Sequence, residues 1–317
     1  MTEHDMTTTR VICIGNTTLD RVWPLAQLPA AAGKYRASDY LEVGGGMAAN
    51  AAVAVARLGG DAAYWGRAGE DSAGRTMRQE MADYGVDVTQ FRLFAGARSS
   101  TSAILVSGDG ERTIVNFRGT GIPDEAGWLP LDTIRSAHAV LADIRWIEGD
   151  VKVLGAARAA GLPTVLDGEI ATASAWTAVL PLVDHAIFSE AGLRSFVDQP
   201  VATDADRIAA LRKVRLAGCR MAAVTRGGDG TIWLDETGIH FQMAFTVDVV
   251  DTTGAGDVFH GAYALALGEG QRIPDAIRFA SAVAALKCTR RGGRAGIPAR
   301  DEVAAFLARQ GNLHMPR

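Results

Sequence analysis

The sequence predicts an α/β fold, a Rossmann-type, mostly parallel sheet sandwiched by helices, with a small β-sheet lid. Three observations predict it. Short apolar runs of strand type alternate with helix-type segments along most of the 317 residues. Two polar β segments, 16–43 and 99–120, carry no helix of their own. Nearly every strand of the alternating part ends in Asn, Asp, Ser, Thr or Gly, at the edge where ligands sit in such sheets.

The elements follow in order. Val11-Ile12-Cys13-Ile14-Gly15 is an apolar run ending at glycine, the signature of a buried strand. Residues 16–43 are irregular and polar, with one short alternating run at Tyr40-Leu41-Glu42-Val43. Gly44-Gly45-Gly46 opens an alanine-rich helix over 47–58, stopped by Gly59-Gly60. A strand over 62–66 and a helix over 72–84 come next. Runs at 100–106 and 112–117, joined by Ser107-Gly108-Asp109-Gly110-Glu111, read as a hairpin. Strands are expected at 139–143, 163–167, 185–188 and 221–225, with helices between them. Residues 231–234 and 238–242 read as an antiparallel hairpin at the sheet edge. A β-type run at 245–250 precedes helices expected over 258–267, 273–287 and 300–309. The core is therefore expected in 1–15, 44–98 and 121–317, and the lid in 16–43 and 99–120.

Bulk properties exclude some classes. A formal net charge of −4 argues against nucleic acid as the main partner. No apolar run has the length of a membrane span. Cys13, Cys219 and Cys288 lack metal-type spacing and read as reduced thiols of a cytoplasmic protein. Residues 1–10 are polar, with no apolar stretch of a secretory signal, and a frayed end is expected.

The most informative stretch is Asp251-Thr252-Thr253-Gly254-Ala255-Gly256-Asp257. A small-residue turn opening a helix makes an anion site, because free N–H groups and the positive end of the helix dipole point at one spot. A carboxylate beside such a site would repel a plain anion. It suits a base that takes a proton from a hydroxyl attacking a phosphoryl group. One Asp near a helix start is more often a cap; the full seven-residue arrangement reverses that preference.

The run Gly44-Gly45-Gly46-Met47-Ala48-Ala49-Asn50 and the 251–257 segment followed by Val258-Phe259-His260-Gly261-Ala262 resemble the two signatures of the PfkB family, the ribokinase-like carbohydrate kinases. The resemblance implies Asp257 as the base, and the N–H groups of Gly254, Ala255 and Gly256 as the anion hole for the transferring phosphoryl group. It implies Asp20, Gly45, Gly46, Asn50 and Thr253 around the sugar, and Ser189, Thr225, Gly227 and Gly230 around ATP. Mg²⁺ would accompany ATP, and a monovalent cation such as K⁺ would sit at Asp251 and Thr253, with carbonyls of 287–296. Many members carry Asn-x-x-Glu after the fourth strand. Here Ser189 takes the Asn place and Glu190, the candidate for Mg²⁺, is displaced from the Glu place. The resemblance also implies a homodimer formed through the lids.

For the sugar, Lys34, Asn116 and Arg145 stand at the lid and at a strand end, and two cations with an amide would read an anionic tail. Several stretches, among them Gly33-Lys34-Tyr35, Ala142-Asp143-Ile144-Arg145-Trp146 and Phe188-Ser189-Glu190, resemble a subgroup that phosphorylates 6-deoxy-6-sulfofructose in sulfoglycolysis. A sugar phosphate or a neutral sugar such as fructose or ribose stays open beside it. A non-catalytic sugar- or nucleotide-binding regulator is the alternative outside catalysis.

Overall fold

Val11 and Cys13 point to one side of the first strand, Ile12 and Ile14 to the other, and all four are buried. That two-sided burial places the strand inside a sheet with helices on both faces. The computed structural model describes residues 8–108 and 111–312. Its strands are β1 (Arg10–Gly15), β2 (Thr18–Pro24), β3 (Leu41–Gly45), β4 (Asp61–Gly69), β5 (Phe91–Phe94), β6 (Thr101–Val106), β7 (Arg112–Phe117), β8 (Ala139–Ala142), β9 (Thr164–Gly168), β10 (His185–Ser189), β11 (Met221–Thr225), β12 (Thr231–Asp235) and β13 (Gly238–Gln242). Its helices are α1 (Met47–Arg57), α2 (Ser72–Asp83), α3 (Ile147–Ala159), α4 (Ala173–Val179), α5 (Glu190–Val197), α6 (Asp204–Leu216), α7 (Ala255–Gly268), α8 (Ile273–Cys288) and α9 (Arg300–Asn312).

The main sheet runs β13-β12-β11-β10-β9-β8-β1-β4-β5, parallel from β11 to β5 and antiparallel at the β12–β13 edge. One apolar cluster joins Val11 and Cys13 to α1, α7, α8 and α9; the other joins Ile12 and Ile14 to α3, α5 and α6. Each fully buried Leu, Ile, Val or Phe here contributes about 1.5–3 kcal/mol, so the two clusters dominate the stability of the fold.

The second sheet is β3-β2-β6-β7, built from the two helix-free polar segments. β2 pairs with β6 in parallel, and β3 and β7 flank them in antiparallel. Leu41, Val22, Ile104 and Ile114 fall in register across all four strands and form an apolar row on one face. Leu41 and Ile114, at the ends of that row, are exposed. The hairpin between β6 and β7 is closed by Ser107 N–H to Glu111 O, 2.9 Å; Asp109 and Gly110 at its tip, like residues 1–7, lie outside the described residues.

Two local expectations are corrected. The run 245–250 is unpaired in either sheet. Phe245 and Val247 pack on the core while Val249 and Val250 are exposed, so the alternation records one-sided packing and not a ladder. The helix expected over 258–267 starts earlier, at Ala255, because Gly254 adopts φ +73° and turns the chain directly into it. Among the described residues no helix is long and apolar enough to cross a membrane.

Candidate functional site

The start of α7 faces the start of α1 because the two helices touch backbone to backbone. A Cβ on Gly261 of α7 would stand 2.4 Å from the Ala51 carbonyl oxygen of α1, so only glycine permits the approach. That contact brings together residues about two hundred positions apart in the chain, and Asn50 Nδ2 donates to Asp257 Oδ2 at 2.6 Å. Burial pushes the Asp257 carboxyl up, and the Asn50 hydrogen bond opposes the shift.

Gly254, as the residue before α7, brings no side chain to its amides. The N–H groups of Gly254, Gly256 and Asp257 find no acceptor among the described residues. Ala255 differs from expectation: its N–H closes a turn onto the Thr252 carbonyl at 3.2 Å. The free donors of the helix start are thus Gly254, Gly256 and Asp257, and the side of Gly256 is open space. Donors of this kind, with the helix dipole behind them, stabilise a negative charge that comes within hydrogen-bond reach.

Arg294 holds the arrangement from behind. It is buried, and its Nε donates to Asn50 Oδ1 at 2.9 Å. Nη2 donates to the Gly45 carbonyl at 3.2 Å, and Nη1 lies 3.2 Å from Glu80 Oε2. Glu80 also accepts from the Gly44 N–H at 2.6 Å. With its oxygen held by a guanidinium, the Asn50 amide presents its NH₂ to Asp257.

Asp20 stands on β2 against Gly45, where a Cβ would lie 2.4 Å from its carboxylate. Burial raises its carboxyl, with Ser102 and then Arg294 opposing. Gly46, at φ +97°, lets the chain pass the Asn16 carbonyl, which a Cβ there would meet at 2.4 Å. No side chain caps α1 from its own N-cap position. The Asp143 carboxylate does so from the end of β8, accepting from Ala48 N at 3.2 Å, Asn16 N at 2.8 Å and Arg145 N at 3.0 Å. Between Asp143 and Arg145, Ile144 takes φ +58°, a strained value for a β-branched residue. This turn sets where Arg145 departs from the sheet.

Arg145 and Asn116 line one cavity of about 430 Å³, together with Asn16, Arg67, Arg118 and Asp124. Three guanidinium groups there face one carboxylate. Arg67 pairs with Asp124 at 2.8 Å and lies over the Trp146 ring, and Arg145 donates to the Ile170 carbonyl at 2.8 Å. Asn116 Nδ2 donates to Ser102 Oγ at 3.1 Å, which ties the cavity to the Asp20 side of the site. Lys34 is corrected. It is exposed on the loop between β2 and β3 and does not line this cavity.

At the other end of the sheet, Thr225 Oγ1 donates to the Phe188 carbonyl at 3.3 Å. Gly227, at φ +55°, and Gly230, at φ +84°, bound a tight turn; a Cβ on Gly230 would meet the Gln242 carbonyl oxygen at 2.0 Å. Ser189 caps α5 by accepting from Gly192 N at 2.9 Å. Glu190, the sequence candidate for Mg²⁺, is instead committed to Arg207, whose Nε donates to it at 2.9 Å. Among the described residues no three His, Cys, Asp or Glu side chains converge as a metal cage. That composition still suits Mg²⁺, which usually takes one or two carboxylates plus substrate phosphates. Glu169, close enough to Asp257 to raise its carboxyl, supplies a second carboxylate on that side.

Asp251 uses both carboxylate oxygens: Oδ1 accepts from Thr253 N at 2.8 Å and Oδ2 from Gly292 N at 3.0 Å. The Lys287 ammonium donates to the Asp251 carbonyl at 2.8 Å. The Thr253 hydroxyl accepts from Arg112 Nη1 of the lid at 2.9 Å. Sequence reasoning missed Arg294, Glu80, Lys287 and Arg112. Of these only Lys287 left a signal, since it continues the apolar stripe of Ala280 and Val283 in α8.

Two deeper carboxyls give a pH dependence. Burial pushes Asp143 up to about 6 and Asp167 up to about 7, from an ordinary 3.8. A raised carboxyl binds its proton more tightly in the folded chain. The stability it contributes is full below its unfolded value and is lost as pH rises through its folded value. Asp167→Asn is therefore expected to remove part of the fall in melting temperature as pH rises from about 5 to about 8. Scanning calorimetry at several pH values checks this; an unchanged slope would assign the loss elsewhere.

A two-layered α/β core with a four-stranded lid, and a carboxylate beside free helix-start amides, define a phosphotransferase-type site. The pfkB family of carbohydrate kinases matches residues 8–300, and the chain belongs to that family. It is similar to a putative ribokinase from Agrobacterium tumefaciens, 35% identical with a TM-score of 0.90, over 96% of this chain and 99% of that one. It is also similar to the Arabidopsis thaliana ribokinase solved with ribose and ATP, 26% identical with a TM-score of 0.85, over 95% and 99% of the two chains. Ribokinase of Haemophilus influenzae is 29% identical over 271 residues, 83% of this chain and 87% of its own. The protein is a carbohydrate kinase.

Proposed function

We propose that this kinase uses ATP to phosphorylate the C1 hydroxyl of a ketose with an anion at C6, most closely 6-deoxy-6-sulfofructose, giving 6-deoxy-6-sulfofructose 1-phosphate. The observation that carries the choice of sugar is the cavity of Arg67, Arg118, Arg145 and Asn116, where cations outnumber the single carboxylate of Asp124. A neutral sugar has no use for that excess, whereas a sulfonate or phosphate accepts charge-assisted hydrogen bonds from it. ATP as donor is supported by the Arabidopsis ribokinase, solved with ribose and ATP.

In this reading Asp257 takes the proton of the attacking hydroxyl, and Asn50, braced by Arg294, holds the carboxylate in place. The free amides of Gly254 and Gly256 stabilise the charge that develops on the transferring phosphoryl group. Asp20 orients sugar hydroxyls. Glu169, whose charge acts on Asp257, would help hold Mg²⁺ beside the phosphates, and the ion would offset phosphate charge. Thr225, Gly227 and Gly230 shape the nucleotide turn. The same reading pairs two chains through the apolar row of the lid, with light scattering as its test.

A kinase assay over 6-deoxy-6-sulfofructose, fructose 6-phosphate, fructose and ribose decides the sugar. The sulfonated ketose is expected to give the highest kcat/KM. Arg145→Ala is expected to lower that value by about a hundredfold, the worth of one or two hydrogen bonds to a charged group, and to leave fructose unchanged. A preference for fructose or ribose in the wild type would overturn the reading.

A further inference from the structure

We propose that the Lys287 ammonium takes the place of the monovalent cation expected at Asp251, so that this kinase works without K⁺. Lys287 lies in the last turn of α8 and is fully buried. Its Nζ donates to the Asp251 carbonyl at 2.8 Å and lies 3.8 Å from Asp251 Oδ2. A bound cation would need those oxygens, which here already face a positive charge.

Several of the other expected oxygens are also already engaged. Both Asp251 carboxylate oxygens accept backbone N–H groups. The Cys288 carbonyl accepts from Val250 N at 2.8 Å and Asp251 N at 3.1 Å. The Lys287, Gly292 and Arg294 carbonyls accept from Arg290, Gly296 and Ile297 respectively. Every one of these oxygens is turned toward a donor of the chain. A hard cation needs several oxygens converging on one point, and a second positive charge beside a buried ammonium is repelled with little water to screen it.

The ammonium can do electrostatically what a loosely held ion would do. It sits behind the 251–254 turn that presents the free amides of α7, and its charge adds to theirs where negative charge gathers. Being tethered, it is present at every salt concentration and also fixes the Asp251 backbone from which that turn departs. Lys287 is thus a positioning residue acting through the turn.

The inference rests on the kinase reading but not on which sugar is used. Its first test is a titration of the wild type with KCl against tetramethylammonium chloride at constant ionic strength, using whichever sugar of the panel is turned over. The expected change in kcat is less than about twofold, the response of a site that binds no K⁺. In Lys287→Ala, kcat is expected to fall and to be partly restored by K⁺ or NH₄⁺. A thermal readout needs no turnover, so it separates failure here from failure of the kinase reading. KCl should leave the melting temperature of the wild type where tetramethylammonium chloride puts it, and raise that of Lys287→Ala. If Lys287→Ala does not fold, Lys287→Met takes its place. A wild type activated about tenfold or more, or stabilised specifically by K⁺, would overturn the proposal.

Discussion

Asp257→Asn is expected to lower kcat about a thousandfold, within the usual range for loss of a general base, with little change in KM for ATP. The substitution keeps the shape of the side chain, and its amide oxygen still accepts the Asn50 hydrogen bond that Oδ2 accepts at 2.6 Å. What it removes is the negative charge that receives the proton. Steady-state kinetics with the best sugar of the panel, beside a melting curve that matches the wild type, would separate chemistry from folding. A kcat within tenfold of the wild type would place the base on another residue.

The second large effect is on stability. Arg294→Met is expected to cost about 3–5 kcal/mol, the usual result of removing one partner from a buried ion pair. Three groups lose a partner at once: Asn50 Oδ1 and the Gly45 carbonyl each lose a hydrogen bond, and the Glu80 carboxylate loses its ion pair. In a chain of this size that reads as a fall in melting temperature of roughly 10 °C. Activity falls further than stability explains, because an unbraced Asn50 amide is free to turn its oxygen toward Asp257. Arg294→Lys is expected to recover little, since one ammonium cannot reach three acceptors that a planar guanidinium spans. Chemical denaturation and kcat of the two variants check both parts.

The fold was readable because its signal is local. β1, α1 and the β12–β13 edge hairpin follow from apolar runs and glycine stops within a few residues of where they stand. The failure at 245–250 has the same origin, since Phe245 and Val247 produce strand alternation by packing on the core without a neighbour to pair with. The site was readable where its residues sit inside a motif, as Asn50 and Asp257 do. It was not readable where a residue works through distance. Arg294 lies in a glycine- and arginine-rich loop that looks like solvated surface, and only the folded chain shows that loop turned inward onto Gly45 and Asn50. Glu190 is the opposite case. Its position beside a strand end suggested a ligand, but Arg207 on α6 reaches it first. Lys34 stood in a polar lid segment like Asn116, yet its loop carries it away from the arginine cavity.

The contact of Gly261 with Ala51 makes the two signature stretches parts of one machine, although they lie far apart in sequence. The contact fixes the rotation of each helix. One residue inserted into α1 ahead of Asn50 would swing that side chain by about 100° around the helix axis and leave Asp257 without its donor. Surface loops between the two stretches tolerate a change of length far better than α1 and α7 tolerate a change of phase.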